Sequence, residues 1–218
     1  MKTYRICAVI TRPDQQAIRQ AEPLADLFEL RLDLLGASWV EISKDMRKPW
    51  IATNRLKSEG GAWEGSEETR IAELLKATTL GADVVDIELA SPGLKEIVPQ
   101  IKKHAKCLIS HHDMKRTPKR PILQKIVDAQ LSAGADICKV VTTANTARDS
   151  LNALVLLREN PRVQLISFTM GKEGQTSRIF CPCFGSYLTY GALGEGHESA
   201  DGQLSVALLR RAHEMMRS

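Results

Sequence analysis

Lys139 stands in a run with little room for a charge. Residues 134–141 read Gly-Ala-Asp-Ile-Cys-Lys-Val-Val, a short apolar and β-branched stretch that predicts a buried strand. A lysine between Cys138 and Val140 reaches water only by pointing into a cavity. Burial disfavours the ammonium form of an amine, and the neutral amine is the form that attacks a carbonyl. Taken alone, a lysine in a strand is more often a solvated edge residue. Other strand-like runs change that reading, because they too place charge on one face.

In residues 27–33 the alternation is strict: Phe28, Leu30 and Leu32 face one way, and Glu29, Arg31 and Asp33 the other. Residues 49–55 put Ile51, Thr53 and Arg55 on one face, and residues 84–89 set Asp86 and Glu88 opposite Val85 and Ile87. Residues 106–112 end in Ser110-His111-His112 before Asp113, with parity placing His112 beside Ser110 and Leu108 and turning His111 away. A histidine at a strand end near a buried amine is a natural proton carrier, although a lone histidine is usually packing. Arginines on these strands and in the seventh loop suggest an anionic substrate, and a carboxylate matches a planar guanidinium. The two histidines face opposite ways, so no metal-ligand spacing is evident. No phosphate cradle stands out either, although Gly171 and Gly174 in the seventh loop could form one.

Positioning such residues requires strands that share one interior. Eight strand-like runs alternate with helical ones, the remaining strands being 5–11, 163–170 and 186–192. Helices are expected after Pro13, after Ser66 as N-cap, over 93–104, from Pro121 to Gly134, over 147–159 and at the C-terminal end. Residues 171–183 read as a long connection. Gly-Ala-Asp introduces two strands, at Gly81 and Gly134, as an echo of a repeated βα unit. The pattern fits a doubly wound sheet or a (β/α)₈ TIM barrel, and even strand spacing with no Gly-x-Gly-x-x-Gly after the first strand favours the barrel. In a barrel the outer face takes Phe28, Leu30, Val85, Ile87, Cys138 and Val140. The inner face takes Glu29, Arg31, Arg55, Glu88, His112 and Lys139 near the carboxyl ends.

A length of 218 residues suits one domain spanning 1–218, with both ends expected to be complete. A net charge of +4 with 5% aromatic residues and no basic run argues against nucleic-acid binding. No apolar stretch reaches membrane-spanning length, and the first residues lead into a strand rather than a signal sequence. Five cysteines, three of them in apolar runs, read as reduced thiols of a cytoplasmic protein. Cys181-Pro182-Cys183 lacks the spacer of a metal or redox pair.

Seven motifs, in order along nearly the whole chain, resemble type I 3-dehydroquinate dehydratase, the lysine-dependent enzyme of the shikimate pathway. They are Glu29-Leu-Arg31-Leu-Asp33; Arg55 with Glu59-Gly60-Gly61; Ser110-His-His112-Asp113 with Thr117-Pro118; and Gly134-Ala-Asp-Ile-Cys-Lys139. The others are Met170-Gly171 with Gly174 and Ser177-Arg178; Gly185-Ser186 with Thr189-Tyr190; and Ser199-Ala200-Asp201-Gly202-Gln203. The resemblance implies a (β/α)₈ barrel that needs no metal or organic cofactor. It implies that Lys139 forms a Schiff base with 3-dehydroquinate and that His112 is the catalytic histidine. Glu29, Arg31, Arg55 and Glu59 then hold substrate hydroxyls and the histidine. Arg178 and Gln203 clamp the carboxylate, Ser199 and Ala200 lie in the closing loop, and Met170 and Tyr190 are apolar walls. Members are often dimers, so a homodimer is expected from the resemblance alone. Asp201 stands where many relatives have proline and Phe168 where some have methionine; the first is expected to alter the closing loop, the second only wall shape. The competing readings are another class I aldolase-like lyase and a non-catalytic ligand-binding barrel.

Overall fold

Short apolar strands and amphipathic helices alternate through residues 4–216, which the computed structural model describes. The strands are β1 (Ile6–Ile10), β2 (Leu27–Arg31), β3 (Trp50–Thr53), β4 (Val84–Glu88), β5 (Lys106–Asp113), β6 (Ile137–Thr143), β7 (Leu165–Met170) and β8 (Thr189–Ala192). All pair in parallel in the order β7-β6-β5-β4-β3-β2-β1-β8. Tyr187 N–H donates to Leu165 O across the two outer strands, so the sheet curls into a nearly closed barrel. This is the expected (β/α)₈ architecture.

The helices are α1 (Gln15–Ala21), α2 (Leu32–Leu35), α3 (Trp39–Lys44), α4 (Glu67–Thr79), α5 (Leu94–Ile101), α6 (Arg120–Ser132), α7 (Ala147–Glu159), α8 (Gln175–Phe184) and α9 (Val206–Met215). Their starts follow local chemistry. Ser66 Oγ accepts from Thr69 N–H, and Thr146 and Asp149 form a reciprocal capping box before α7. Gly134 turns the chain out of α6 at φ 93°, a left-handed conformation that favours glycine.

Two expectations fail here. The second strand stops at Arg31: Leu32 and Asp33 belong to α2, so the period-two pattern overran the strand. Residues 171–183 are not an open connection. A 3-10 turn (Lys172–Gly174) leads into α8, which also contains Cys181, Pro182 and Cys183. Proline and glycine there suggested loop, but burial of Ser177, Arg178 and Cys181 holds the helix.

The Gly-Ala-Asp echo has a physical basis. Asp83 and Asp136 lie just before β4 and β6, and each Oδ2 accepts the N–H at the start of the preceding strand, Trp50 and Cys107, at 2.9 Å. Asp26 before β2 does the same for Ile6 at 2.8 Å. Adjacent strands are thereby locked in register, pair by pair, at the amino end of the barrel.

The strand faces divide as a barrel requires. Phe28, Leu30, Val85 and Ile87 pack outward with Ile18, Trp39, Ile71, Leu74 and Ile97 of the helices. Cys7, Val9, Leu27, Ile51, Val84, Leu108, Ile137, Ile166 and Leu188 are all buried and fill the lower interior. The aliphatic side chains among them each contribute roughly 1.5–3 kcal/mol by leaving water. Above that floor the interior becomes polar.

Candidate active site

Lys139 rises from the middle of β6 and is 4% exposed. Its Nζ donates to Asp86 Oδ2 at 2.9 Å and lies 3.5 Å from Glu29 Oε1. The ring centre of Tyr190 is 4.2 Å away. Thr53 Oγ1 donates to the same Glu29 oxygen at 2.9 Å, fixing that carboxylate from β3. Four strands therefore meet at one nitrogen.

Asp86 is the hub of a buried charge network. Arg55 Nη2 is 2.6 Å from its Oδ2, and Ser110 Oγ donates to Oδ1 at 2.6 Å. Burial acts to raise the Asp86 pKa, but Arg55 and then Lys139 draw it well below the usual carboxylate range, so it stays ionised. Arg55 also reaches Ser110 at 2.7 Å and Glu88 Oε1 at 3.1 Å. Arg70 of α4, fully buried, meets the other oxygen of Glu88 at 2.6 Å and is held by Ser91 and Glu67. Alternating signs offset the cost of placing these ions out of water.

His112 lies at the inner end of β5. Glu59 Oε2 accepts its backbone N–H at 3.0 Å and faces Nδ1 at 2.9 Å. With Glu59 ionised, Nδ1 carries the proton and Nε2 is left as the basic nitrogen. Burial, then Arg55 and Lys139, hold the His112 pKa well below its ordinary value. Burial pushes the Glu59 carboxyl up to about 7, with Arg55 opposing and Glu88 adding to the rise. Glu59 is aimed by the turn that follows it: a Cβ on Gly61 would lie 2.0 Å from Arg55 O, so only glycine closes there.

The opposite wall is built by β7, α8 and the loop after β8. Arg178, 2% exposed, has no ion-pair partner among the described residues, and its Nε has no hydrogen-bond partner. Its guanidinium lies on Phe168, 4.7 Å from the ring centre. Burial draws its pKa down to about 10. Gln203 Oε1 accepts the N–H and Oγ–H of Ser199 at 2.6 and 3.0 Å, which folds residues 199–203 over the opening. The stretch just before it is tied to the residues that follow β1 by bonds from Thr11 and Arg12 to His197 O and Gly196 O.

Between the walls is a cavity of about 310 Å³, large enough for a small ligand. Glu29, Arg31, Arg55, Glu59, His112, Lys139, Met170, Arg178, Tyr190, Ser199, Ala200 and Gln203 all line it. The type I 3-dehydroquinase family model matches residues 6–218. The chain belongs to that family.

The 3-dehydroquinate dehydratase of Dehalococcoides mccartyi strain 195 is 43% identical over 208 residues, covering 95% of this chain and 93% of the relative. That of Methanococcoides burtonii is 41% identical over 222 residues, covering 97% and 93%. Among solved structures, type I 3-dehydroquinate dehydratase from Clostridium difficile, with covalently modified comenic acid, superposes at a TM-score of 0.83 with 26% identity, covering 99% and 94%. The Geobacillus kaustophilus enzyme reaches 0.86 at 24% identity, covering 99% and 91%, and is similar in fold.

Against this dehydroquinase framework several expectations change. Glu88 faces inward but is absent from the cavity lining, because Arg55 and Arg70 engage both its oxygens. Gly174 has a packing role: a Cβ there would lie 2.4 Å from Thr169 O, so the glycine allows close approach to β7. Phe168 does more than shape the wall, since it carries the Arg178 guanidinium and tilts against Tyr190, ring centres 6.1 Å apart. Asp201 is exposed, and its backbone O accepts Gly171 N–H at 3.0 Å. Asp86 was the residue sequence reasoning passed over. Its signal was present, two positions before Glu88 on the same face. Asp33 was likewise missed as a support, receiving both Arg31 Nε and Nη2 at 2.9 and 2.6 Å. Among the described residues no group of three or more His, Cys, Asp and Glu is arranged to hold a metal ion.

Proposed function

We propose that this dehydroquinase dehydrates 3-dehydroquinate to 3-dehydroshikimate with Lys139 as nucleophile and His112 as proton carrier. The neutral Lys139 amine bonds through its nitrogen to the C3 ketone carbon, and the ketone oxygen leaves as water after proton transfers assisted by His112. The iminium withdraws electrons from C2. His112 Nε2 takes the C2 proton, the electron pair forms the C1–C2 double bond by way of the enamine, and the C1 hydroxyl leaves as water with the proton His112 holds. Hydrolysis of the imine returns the amine and the product.

Asp86 and Glu29 receive the charged nitrogen, Arg31 and Arg55 with Glu29 and Glu59 hold hydroxyls and the histidine, and Met170 and Tyr190 shape the ring site. Arg178 and Gln203 take the carboxylate, with Ser199 and Ala200 closing above. One observation carries this reading: a buried guanidinium with no ion-pair partner faces the same cavity as a buried lysine between two carboxylates. A ligand with a carboxylate and a ketone matches both ends.

Incubation with 3-dehydroquinate should raise the ultraviolet absorbance of a conjugated enone, and borohydride should trap an adduct on Lys139 by intact mass. Lys139→Ala should abolish turnover while carboxylate binding stays measurable; full activity in that variant would end the covalent proposal. His112→Ala should slow both imine chemistry and elimination, and His111→Ala should not. The five free cysteines suit a reducing, cytoplasmic setting. A homodimer is part of the same proposal, exposed Ile122 and Leu151 offering apolar surface, and sedimentation tests it.

A further inference from the structure

A protonated Lys139 would carry three N–H groups beside two neighbouring carboxylates, Asp86 and Glu29. An iminium at the same nitrogen keeps the positive charge and one N–H. Imine formation from the neutral amine balances as amine plus ketone plus a proton passed through His112 giving iminium plus water, so positive charge develops at the nitrogen while hydrogen-bond donors are lost. A group that stabilises a cation without accepting a hydrogen bond fills that gap. The face of an aromatic ring does this within about 6 Å of its centre. Tyr190 presents such a face at 4.2 Å, is 3% exposed, and is backed by Phe168. Its hydroxyl has no hydrogen-bond partner, so no such bond sets the ring's position.

We propose that Tyr190 is a further catalytic residue, its ring face carrying the positive charge of the Lys139 iminium, rather than an apolar wall. The proposal rests on the lysine-adduct reading above. The ring is set by two contacts: β8 pairs Tyr190 with Cys7 of β1, and Phe168 fixes its tilt. Phe168 in turn holds Arg178, so two touching rings support the two cations at opposite ends of the substrate site.

The test compares Tyr190→Phe with Tyr190→Leu, using rapid-quench borohydride trapping at saturating 3-dehydroquinate and intact-mass detection of the Lys139 adduct. Adduct formation in Tyr190→Leu should be about tenfold slower than in Tyr190→Phe, with a smaller change in KM. Progressively fluorinated phenylalanines at position 190 keep the shape while draining the π face, and adduct formation should slow with each added fluorine. A rate indifferent to fluorination overturns the proposal even where Tyr190→Leu misfolds. Equal rates in Tyr190→Phe and Tyr190→Leu overturn it as well. If the unsubstituted chain turns over with no adduct on Lys139, the covalent reading fails and this inference with it; an adduct with no ring dependence sinks the inference alone.

Discussion

Glu59 spends both its charge and its position on His112, accepting from the backbone and facing Nδ1. Its pKa of about 7 makes that service pH-dependent. Turnover should rise as pH climbs through about 7, when the carboxylate forms and fixes the Nδ1–H tautomer. Glu59→Gln should lower kcat about 10- to 100-fold and remove that limb of the profile; an unshifted limb would assign it to another group. The effect on stability has the opposite sign. The folded chain holds this proton more tightly than the unfolded chain, so the contribution of Glu59 to stability falls as pH rises from about 4.5 to about 7. Arg178 makes a similar trade. Its buried guanidinium lacks an ion-pair partner, so Arg178→Met should melt no lower than the parent without ligand. In the same variant KM should rise about 100-fold, the scale of one strong charged hydrogen bond. A marked drop in melting temperature would show that the guanidinium serves the fold.

The loops after β7 and β8 close the cavity by backbone contact. Gly171 N–H bonds Asp201 O, and a Cβ on Gly202, at φ 71°, would lie 2.2 Å from Gly171 O. Gly202→Ala should therefore pry residues 199–203 off β7, raising KM about tenfold while Lys139 remains trappable by borohydride. An unchanged KM would mean that the closed geometry is dispensable for binding. At the other end of the barrel, Asp83 and Asp136 tie strand pairs together. Asp83→Ala and Asp136→Ala should each cost about 1 kcal/mol in denaturant unfolding and add in the double variant, because they serve different pairs.

Across the whole molecule, charge runs unbroken from α4 to the Lys139 nitrogen: Glu67, Arg70, Glu88, Arg55, Asp86, Lys139. Removing a middle member leaves a buried charged atom of its neighbour without its partner, as Glu88 Oε2 would be without Arg70. Arg70→Met should destabilise by about 3–5 kcal/mol, and adding Glu88→Gln should recover part of that loss. Additive losses, measured by thermal or denaturant unfolding, would show that the two residues do not act as a pair.

Local chemistry determined much of this protein. Period-two charge on apolar strands marked Glu29, Arg31, Arg55, His112 and Lys139, and caps such as Ser66 and turns such as Gly134 marked the element ends. Those signals survive in one dimension because hydrophobic periodicity and turn chemistry act over a few residues. The partner of each charge does not survive there. Asp86 and Glu88 look alike in sequence, yet one meets Lys139 and the other Arg70, and Phe168 reads as bulk until Arg178 lies on it. Strand stagger and barrel closure made those choices, since they set which side chains share a height in the interior. A protein's ion pairs follow from distances across strands, and the order of residues along one strand does not contain them.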